Sequence, residues 1–583
     1  MKKHIVFILL LTLILSACGS NAKPAEKPAD EPAAEETAAA EETSEAEESD
    51  PVKEAAMTYF TDLPEDKHMI FVPELFEKMD AGEEMLIIDI RKAEDYAEGH
   101  LKGAVNVPYA AVGENLTKIP DDIQIYIHCY TGQTGSQSTV LLNVLGKKVT
   151  NIQGGWKNGI TAEEGYEAYT ETEAHELPEG DYPVDETLAA AVADFYAKAP
   201  DDEHANFNFP PEELNELIEG GDVPYTVVSV RKPEDYAEAH IAGAVNIPYG
   251  KGMEQQLKDL PADKPVIVYC YTGQSGSQTM TILRLMGYEA YNLNGGFGSV
   301  LTESGWLGAG LPVEAANPTE WAGKQYFASL PEDKHMIFVP ELFEKMDAGE
   351  EMLIIDIRTA EDYAEGHLKG AVNIPYATVG ENLTKIPNDI QIYIHCYTGQ
   401  TGSQSTVLLN ALGKKVTNIQ GGWKKGITAE EGYEAYTETE PHELPEGEYP
   451  VDEKVAAFAA DFYAKAPDDE HANFNFPPEE LAELIEAGEV PYTIVSVRKP
   501  EDFEQGHIQG AVNIPYGPGM QDQLKDLPKD KPVIVYCYTG QSGSQTMTVL
   551  RLMGYEAYNL NGGMGSAETE SGWLGAGLPV VTE

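Results

Sequence analysis

IQIYIHCYTGQTGSQSTVLLNVL, Ile123–Leu145, carries the decisive signal for the fold. Its opening, Ile123–Ile127, reads as a buried strand that ends at His128-Cys129. A Gly-rich loop follows, and from about Ser136 to Leu145 the pattern becomes helical. A strand feeding a loop and then a helix is the building unit of a parallel sheet, in which ligands meet the carboxyl ends of the strands. Cys129 stands at such an end.

Outward from this stretch, Met85–Ile90 reads as a second buried strand and is followed by the helix-like KAEDYAE, Lys92–Glu98. Gly103–Val107 and Val149–Gln153 read as further short strands, the latter closed by Gly154-Gly155. Strands alternating with helices predict an α/β fold, a mostly parallel sheet flanked by helices on both faces.

The module recurs. MIFVPELFEKMDAGEEMLIIDIR occurs at Met69–Arg91 and again at Met336–Arg358, an offset of 267 residues (336 minus 69). The same offset relates Cys129 to Cys396, Arg231 to Arg498 and Cys270 to Cys537, so the duplicated unit is itself a pair of modules. A chain of 583 residues exceeds what one core serves, and four tandem domains are expected: 55–180, 181–318, 319–447 and 448–583. So long a period reads as beads on a string. The stretches Pro183–Phe209 and Pro450–Phe476 read as joints between modules.

Ahead of the modules, Lys2 and Lys3 precede an apolar run, Ile5–Leu15, and Leu15-Ser16-Ala17 lead into Cys18. The run is too short to span a membrane and reads as an export signal, residues 1–17. Leu-Ser-Ala-Cys resembles the lipobox of bacterial lipoproteins, which implies lipidation of Cys18, a lipid anchor, and a location on the outer or periplasmic side of the cell membrane. Residues 18–54 are rich in Ala, Glu and Pro and are expected to form a disordered acidic tether. Lys plus Arg number 39 against 98 Asp plus Glu, a net charge of -59. Nucleic acid is therefore excluded as a partner.

Apart from Cys18, the cysteines are Cys129, Cys270, Cys396 and Cys537, one at the same loop position of each module. Equivalent sites on separate domains do not form a disulfide framework, so these are expected to be free thiols kept for chemistry. In the loop Cys129-Tyr130-Thr131-Gly132-Gln133-Thr134-Gly135, successive backbone N–H groups turn towards the sulfur, and Gly132 and Gly135 allow the backbone to do so. These dipoles and the helix N-terminus favour an anionic sulfur, thiolate or persulfide.

Asp89-Ile90-Arg91 after a strand, then Gly99–Pro108 (GHLKGAVNVP), then the cysteine loop, then Ile152–Trp156 (IQGGW), found in this order four times, resemble the rhodanese-like sulfurtransferase domain. The resemblance implies that Cys129, Cys270, Cys396 and Cys537 each accept a sulfane sulfur as a persulfide and pass it to a thiophilic acceptor, a thiol or cyanide-like molecule. No cofactor or metal motif appears in the sequence, in keeping with chemistry done by a thiolate and backbone dipoles. The loop residues Tyr130, Thr131, Gly132, Gln133, Thr134 and Gly135 would then bind substrate. So would Tyr271, Gly273 and Ser275, Tyr397, Gly399 and Thr401, and Tyr538, Gly540 and Ser542 in the other modules.

The loops carry no Arg or Lys, so a dianionic donor is held less firmly. Thiosulfate, polysulfide and low-molecular-weight persulfides all stay open as donors. A phosphatase needs Arg where Gly135, Gly276, Gly402 and Gly543 stand, which removes that reading. Asp89 with Arg91, and Asp356 with Arg358, are read either as braces of the site's mouth or as surface ion pairs. Ser229 and Ser496 leave Arg231 and Arg498 without that carboxylate. His100, His240, His367 and His507 are assigned a structural hydrogen bond. Two further readings remain: a persulfide carrier or thiol sensor working with an unidentified protein acceptor, and a binding lipoprotein without activity.

Overall fold

A computed structural model describes residues 50–299, 303–568 and 570–582. The expected signal segment, Cys18 and nearly all of the acidic stretch lie outside the described residues. At the end of that stretch, Pro51–Thr61 forms a helix whose first N–H groups are capped by the Asp50 carboxylate, 2.9 Å from Val52 N.

Each module is built on a five-stranded, all-parallel sheet. In the first, the strands lie in the spatial order Met69–Ile70, Lys148–Ile152, Gln124–His128, Met85–Asp89, Val105–Asn106. The second runs Val245–Asn246, Thr226–Ser229, Val266–Tyr269, Ala290–Leu293, Asn208–Phe209, and the third and fourth repeat the two patterns. The central strands are buried apolar runs, as a sheet covered on both faces requires. Residues paired in register end together, so Asp89 lies beside His128 at the edge where the cysteine loop begins. The two-residue strand Met69–Ile70 carries too little pattern to be read from sequence.

The expectation of independent beads fails for the two modules of a pair. One continuous apolar core joins residues from Ala56 to Trp306, and another joins Tyr326 to Ala557. Helix Pro51–Thr61 reaches the second module: Phe60 meets the edge of Tyr249, ring centroids 5.6 Å apart, and Tyr59 Oη donates to Gln278 Oε1 at 3.1 Å. Conversely, the stretch read as a joint contains helix Glu186–Lys198, which packs back on the first module's turn Tyr109–Glu114. There Gly113 leaves so little room that a Cβ would sit 3.2 Å from Tyr196 Cβ. The helices that look like linkers are thus the clasps of each pair.

Phe60 is fully buried at this junction. Phe60→Ala is expected to cost about 3–5 kcal/mol, seen in urea unfolding as a lower midpoint for the first pair with the second pair unchanged. Phe327→Ala, at the equivalent contact with Tyr516, is expected to do the reverse.

Candidate active site

Strand Gln124–His128 delivers Cys129 to the sheet edge, and the chain turns through Gly132, φ +87°, into helix Gln133–Val144. The helix begins three residues before the expected Ser136, because a left-handed glycine allows the reversal to be completed within the loop. The tight turn brings Gly132 N to 3.1 Å from Cys129 Sγ. Gly273, Gly399 and Gly540 donate to Cys270, Cys396 and Cys537 at the same 3.1 Å. The four cysteines are unpaired and buried, with residue exposures of 1–3%.

Two glycine positions explain why the loop takes this form. The second glycine of the Gly-Gly pair, Gly155, lies against the loop backbone: a Cβ there would be 2.6 Å from Cys129 O and 2.7 Å from Gly132 N. The same approach lets Trp156 N donate to Cys129 O at 2.8 Å. At Gly135, a Cβ would be 2.3 Å from Asn151 Oδ1. The position where a phosphatase holds its Arg is therefore filled by an asparagine of the neighbouring strand.

The residue after each cysteine braces the loop. Tyr130 Oη donates to Asp95 Oδ2 and accepts from Lys92 N at 3.2 Å, which ties the loop to helix Ala93–Glu98. Tyr271, Tyr397 and Tyr538 make the matching bonds to Asp235, Asp362 and Asp502. Thr131 and Gln133 border a cleft of about 840 Å³ shared with Tyr271, Thr272 and Gln274 of the second module. A cleft of about 820 Å³ occupies the same place in the second pair. A cation also comes close without being in the loop: Lys157 Nζ lies 5.7 Å from the Tyr130 ring centre and Lys424 Nζ 5.2 Å from that of Tyr397. Gly298 and Gly565 stand at these positions in the other modules.

Asp89 and Arg91 do not form a surface pair. Arg91 is 3% exposed and Asp89 is fully buried. Arg91 Nη2 donates to Asp89 Oδ2 at 2.6 Å and to Gly99 O at 2.7 Å, while its guanidinium stacks 3.9 Å from the Trp156 ring centre. One cation thus holds a strand end, the Gly99-His100 turn and the Gly-Gly-Trp segment together. Asp356 and Arg358 repeat it. In the second module Arg231 keeps the carbonyl, now Ala239 O, and stacks on Phe297, but its Nε has no hydrogen-bonding partner. Arg498 likewise donates to Gly506 O, and its Nε is also unpartnered. His100 bonds two backbone carbonyls, Tyr96 O at 2.8 Å and Glu173 O at 2.9 Å, as a structural residue does.

Two groups escaped the sequence reading, and a third, Gln133, was expected to bind substrate and instead bonds the neighbouring module. His128 is fully buried, its Nε2 3.6 Å from Asp89 Oδ2, and burial lowers its affinity for a proton more than that carboxylate raises it. Tyr109 is the second: burial, with Tyr196 and Cys129 adding to it, holds its phenol well above the ordinary range. Tyr109 Oη donates to Gln137 Oε1, and Gln137 Nε2 donates to Asn206 O at 2.8 Å. The third is the loop glutamine, Gln133, and its counterpart Gln274, which bond across the module boundary. Their signal was recurrence: Tyr109, Tyr249, Tyr376 and Tyr516 all end an Asn-Val/Ile-Pro-Tyr segment, and each cysteine is followed four residues on by glutamine.

The model of the rhodanese-like domain matches residues 72–162, 210–303, 339–429 and 477–568, more than half of the chain. The chain belongs to the rhodanese-like domain family. Thiosulfate sulfurtransferase GlpE of Pseudomonas syringae is 34% identical over 88 residues, 15% of this chain and 79% of that protein. The HTH-type transcriptional regulator Rv0324 of Mycobacterium tuberculosis is 37% identical over 103 residues, 17% of this chain and 42% of its own length. The rhodanese-like chain spans less than two thirds of the length of the first curated relatives it matches. A crystal structure of a thiosulfate sulfurtransferase from Pseudomonas aeruginosa aligns with 88% of this chain and 89% of its own, at 18% identity and a TM-score of 0.18. Sulfur transfer is the chemistry of the family's sulfurtransferase members.

The buried His128 and His395 make stability depend on pH. The folded imidazoles resist the proton that the unfolded chain accepts near pH 6.5, so stability is full above that pH and is lost as the pH falls below it. The double variant His128→Phe/His395→Phe is expected to lose less stability than the parent between pH 7.5 and 5.5, read as the change in urea midpoint.

Proposed function

We propose that this protein is a surface-anchored sulfurtransferase that moves sulfane sulfur through persulfides on Cys129, Cys270, Cys396 and Cys537. The observation that carries the reading is the backbone N–H held 3.1 Å from each of the four sulfurs, in loops that belong to rhodanese-like domains. Such a donor stabilises an anionic sulfur without a side-chain cation. The cysteine thiolate attacks the outer sulfur of the donor; the Cys–S bond forms as the donor's own bond to that sulfur breaks, and the leaving group takes the electron pair. An acceptor, a thiolate or cyanide, then takes the sulfur and the cysteine thiolate is regenerated.

Thiosulfate, polysulfide and low-molecular-weight persulfides are the proposed donors. Lys157 and Lys424 near the loops of modules one and three favour an anionic donor there over modules two and four. Export and lipid anchoring through Cys18 rest on the Leu-Ser-Ala-Cys segment that follows the apolar run. Among the described residues no helix is long and apolar enough to cross a membrane. A persulfide carrier or thiol sensor working with a protein acceptor is the second reading; the burial of all four cysteines, which shields a bound sulfur from solvent, suits retention of a persulfide between transfers.

Intact mass spectrometry of the chain exposed in turn to thiosulfate, polysulfide and mercaptopyruvate tests the proposal. Gain of cyanide-removable sulfur, reduced by one atom with each Cys→Ser substitution at a competent loop, is the expected result. No gain with any donor rules out the enzyme reading.

A further inference from the structure

The two cysteine loops of a pair do not stand alone. Gln274 opens the helix after the Cys270 loop, yet its Oε1 leaves its own module. It accepts from Asn151 Nδ2 at 3.1 Å and from Gly154 N at 3.2 Å, both in the first module. The Asn151 amide also reaches Gly132 O at 3.2 Å and Ser136 Oγ at 3.1 Å. Gly132 is the residue whose N–H faces Cys129 Sγ. Hydrogen bonds therefore run from Gln274 through Asn151 to the carbonyl of Gly132, the residue whose own N–H faces the sulfur of the other module. The fit leaves no slack: a Cβ on Gly132 would lie 2.4 Å from Gln274 Oε1.

The return link is shorter. Gln133 Oε1 accepts from Asn292 Nδ2 at 2.8 Å and from Gly295 N at 3.1 Å. Asn292 spends its amide on Asn208 Oδ1, at 2.9 Å, rather than on the Cys270 loop. The second pair repeats the asymmetry. Gln541 Oε1 holds Asn418 Nδ2 and Gly421 N at 3.1 Å each, and Asn418 reaches Gly399 O, whereas Asn559 turns to Asn475.

We infer that Gln274 and Gln541 are positioning residues for the cysteines of the neighbouring modules, Cys129 and Cys396, so that modules two and four set the loop geometry of modules one and three. The inference concerns the thiols themselves and stands apart from whether sulfur is transferred. It also gives a reason for duplicating pairs: the smallest complete Cys129 site includes a side chain from the second module.

Alkylation of the full chain by iodoacetamide, followed at each cysteine by peptide mass spectrometry, tests it. With Gln274→Ala the Cys129 loop opens more readily, and Cys129 is expected to alkylate about fivefold faster or more, the factor that one lost hydrogen bond allows. Cys396 and Cys537, in the other pair, keep the parent rate. Gln274→Glu retains the accepting oxygen for Asn151 and Gly154 and is expected to return Cys129 close to the parent rate, which a general loosening of the interface would not do. Gln541→Ala should act on Cys396 in the same way. An unchanged Cys129 rate, a rise at Cys270 alone, equal rises at all four cysteines, or Gln274→Glu behaving as Gln274→Ala would overturn the inference.

Discussion

In every module a glycine is pressed against the backbone of the cysteine loop, at a distance that admits no side chain. Gly155 meets Cys129 O and the N–H of Gly132, and Gly296, Gly422 and Gly563 meet the corresponding cysteine carbonyl and glycine N–H of the other loops. Backbone packed on backbone in this way fixes where each amide points, and an N–H aimed at a buried sulfur is the result. The rest of the module serves that contact. The parallel sheet brings the two segments to the same edge, Arg91 ties the Gly-Gly-Trp segment to the strand end, and Tyr130 anchors the outside of the loop.

The same economy explains the pairing. Each loop leaves an asparagine amide, Asn151 or Asn292, buried beside its helix, and each partner loop supplies the glutamine oxygen that satisfies it. Lost hydrogen bonds between buried polar groups are costly, so separating the modules would take from each amide one of its acceptors. The clasping helices Pro51–Thr61 and Glu186–Lys198 add apolar contact across the same boundary. Between the pairs no such exchange of loop glutamines recurs among the described residues; Gln400 and Gln541 reach across to each other's modules within the second pair.

Strands and the cysteine loop were legible because apolar runs bounded by glycine leave a local mark, and fourfold recurrence made Cys129 and its counterparts stand out. What was not legible depends on contacts between residues far apart in the chain. The Asp89–Arg91 pair looks the same in sequence whether exposed or buried, and only the packing of Trp156 over the guanidinium puts it inside. Gln133 reads in sequence as a loop residue facing substrate, because the groups that it and Gln274 bond lie about 120 to 160 positions away. The stretch that holds helix Glu186–Lys198 was readable as a joint, but not as a clasp, because its apolar face does not say which module it covers. His128 escaped for the same reason: its role is set by burial beside Asp89 in the register of the sheet.

Modules one and three keep Asp, His and Trp around the site, where two and four have Ser, Tyr and Phe or Met, so a pair joins two unlike versions of one loop. Both versions retain the cysteine and its facing N–H. Whether those sulfurs carry turnover is therefore the deciding question. Steady-state thiocyanate formation from a sulfane donor and cyanide, compared between the parent chain and one with all four loop cysteines replaced by serine, decides it. Parallel-line, ping-pong kinetics are expected for the parent and no rate above buffer for the variant; equal rates in the two proteins would show that the loop cysteines do not carry sulfur.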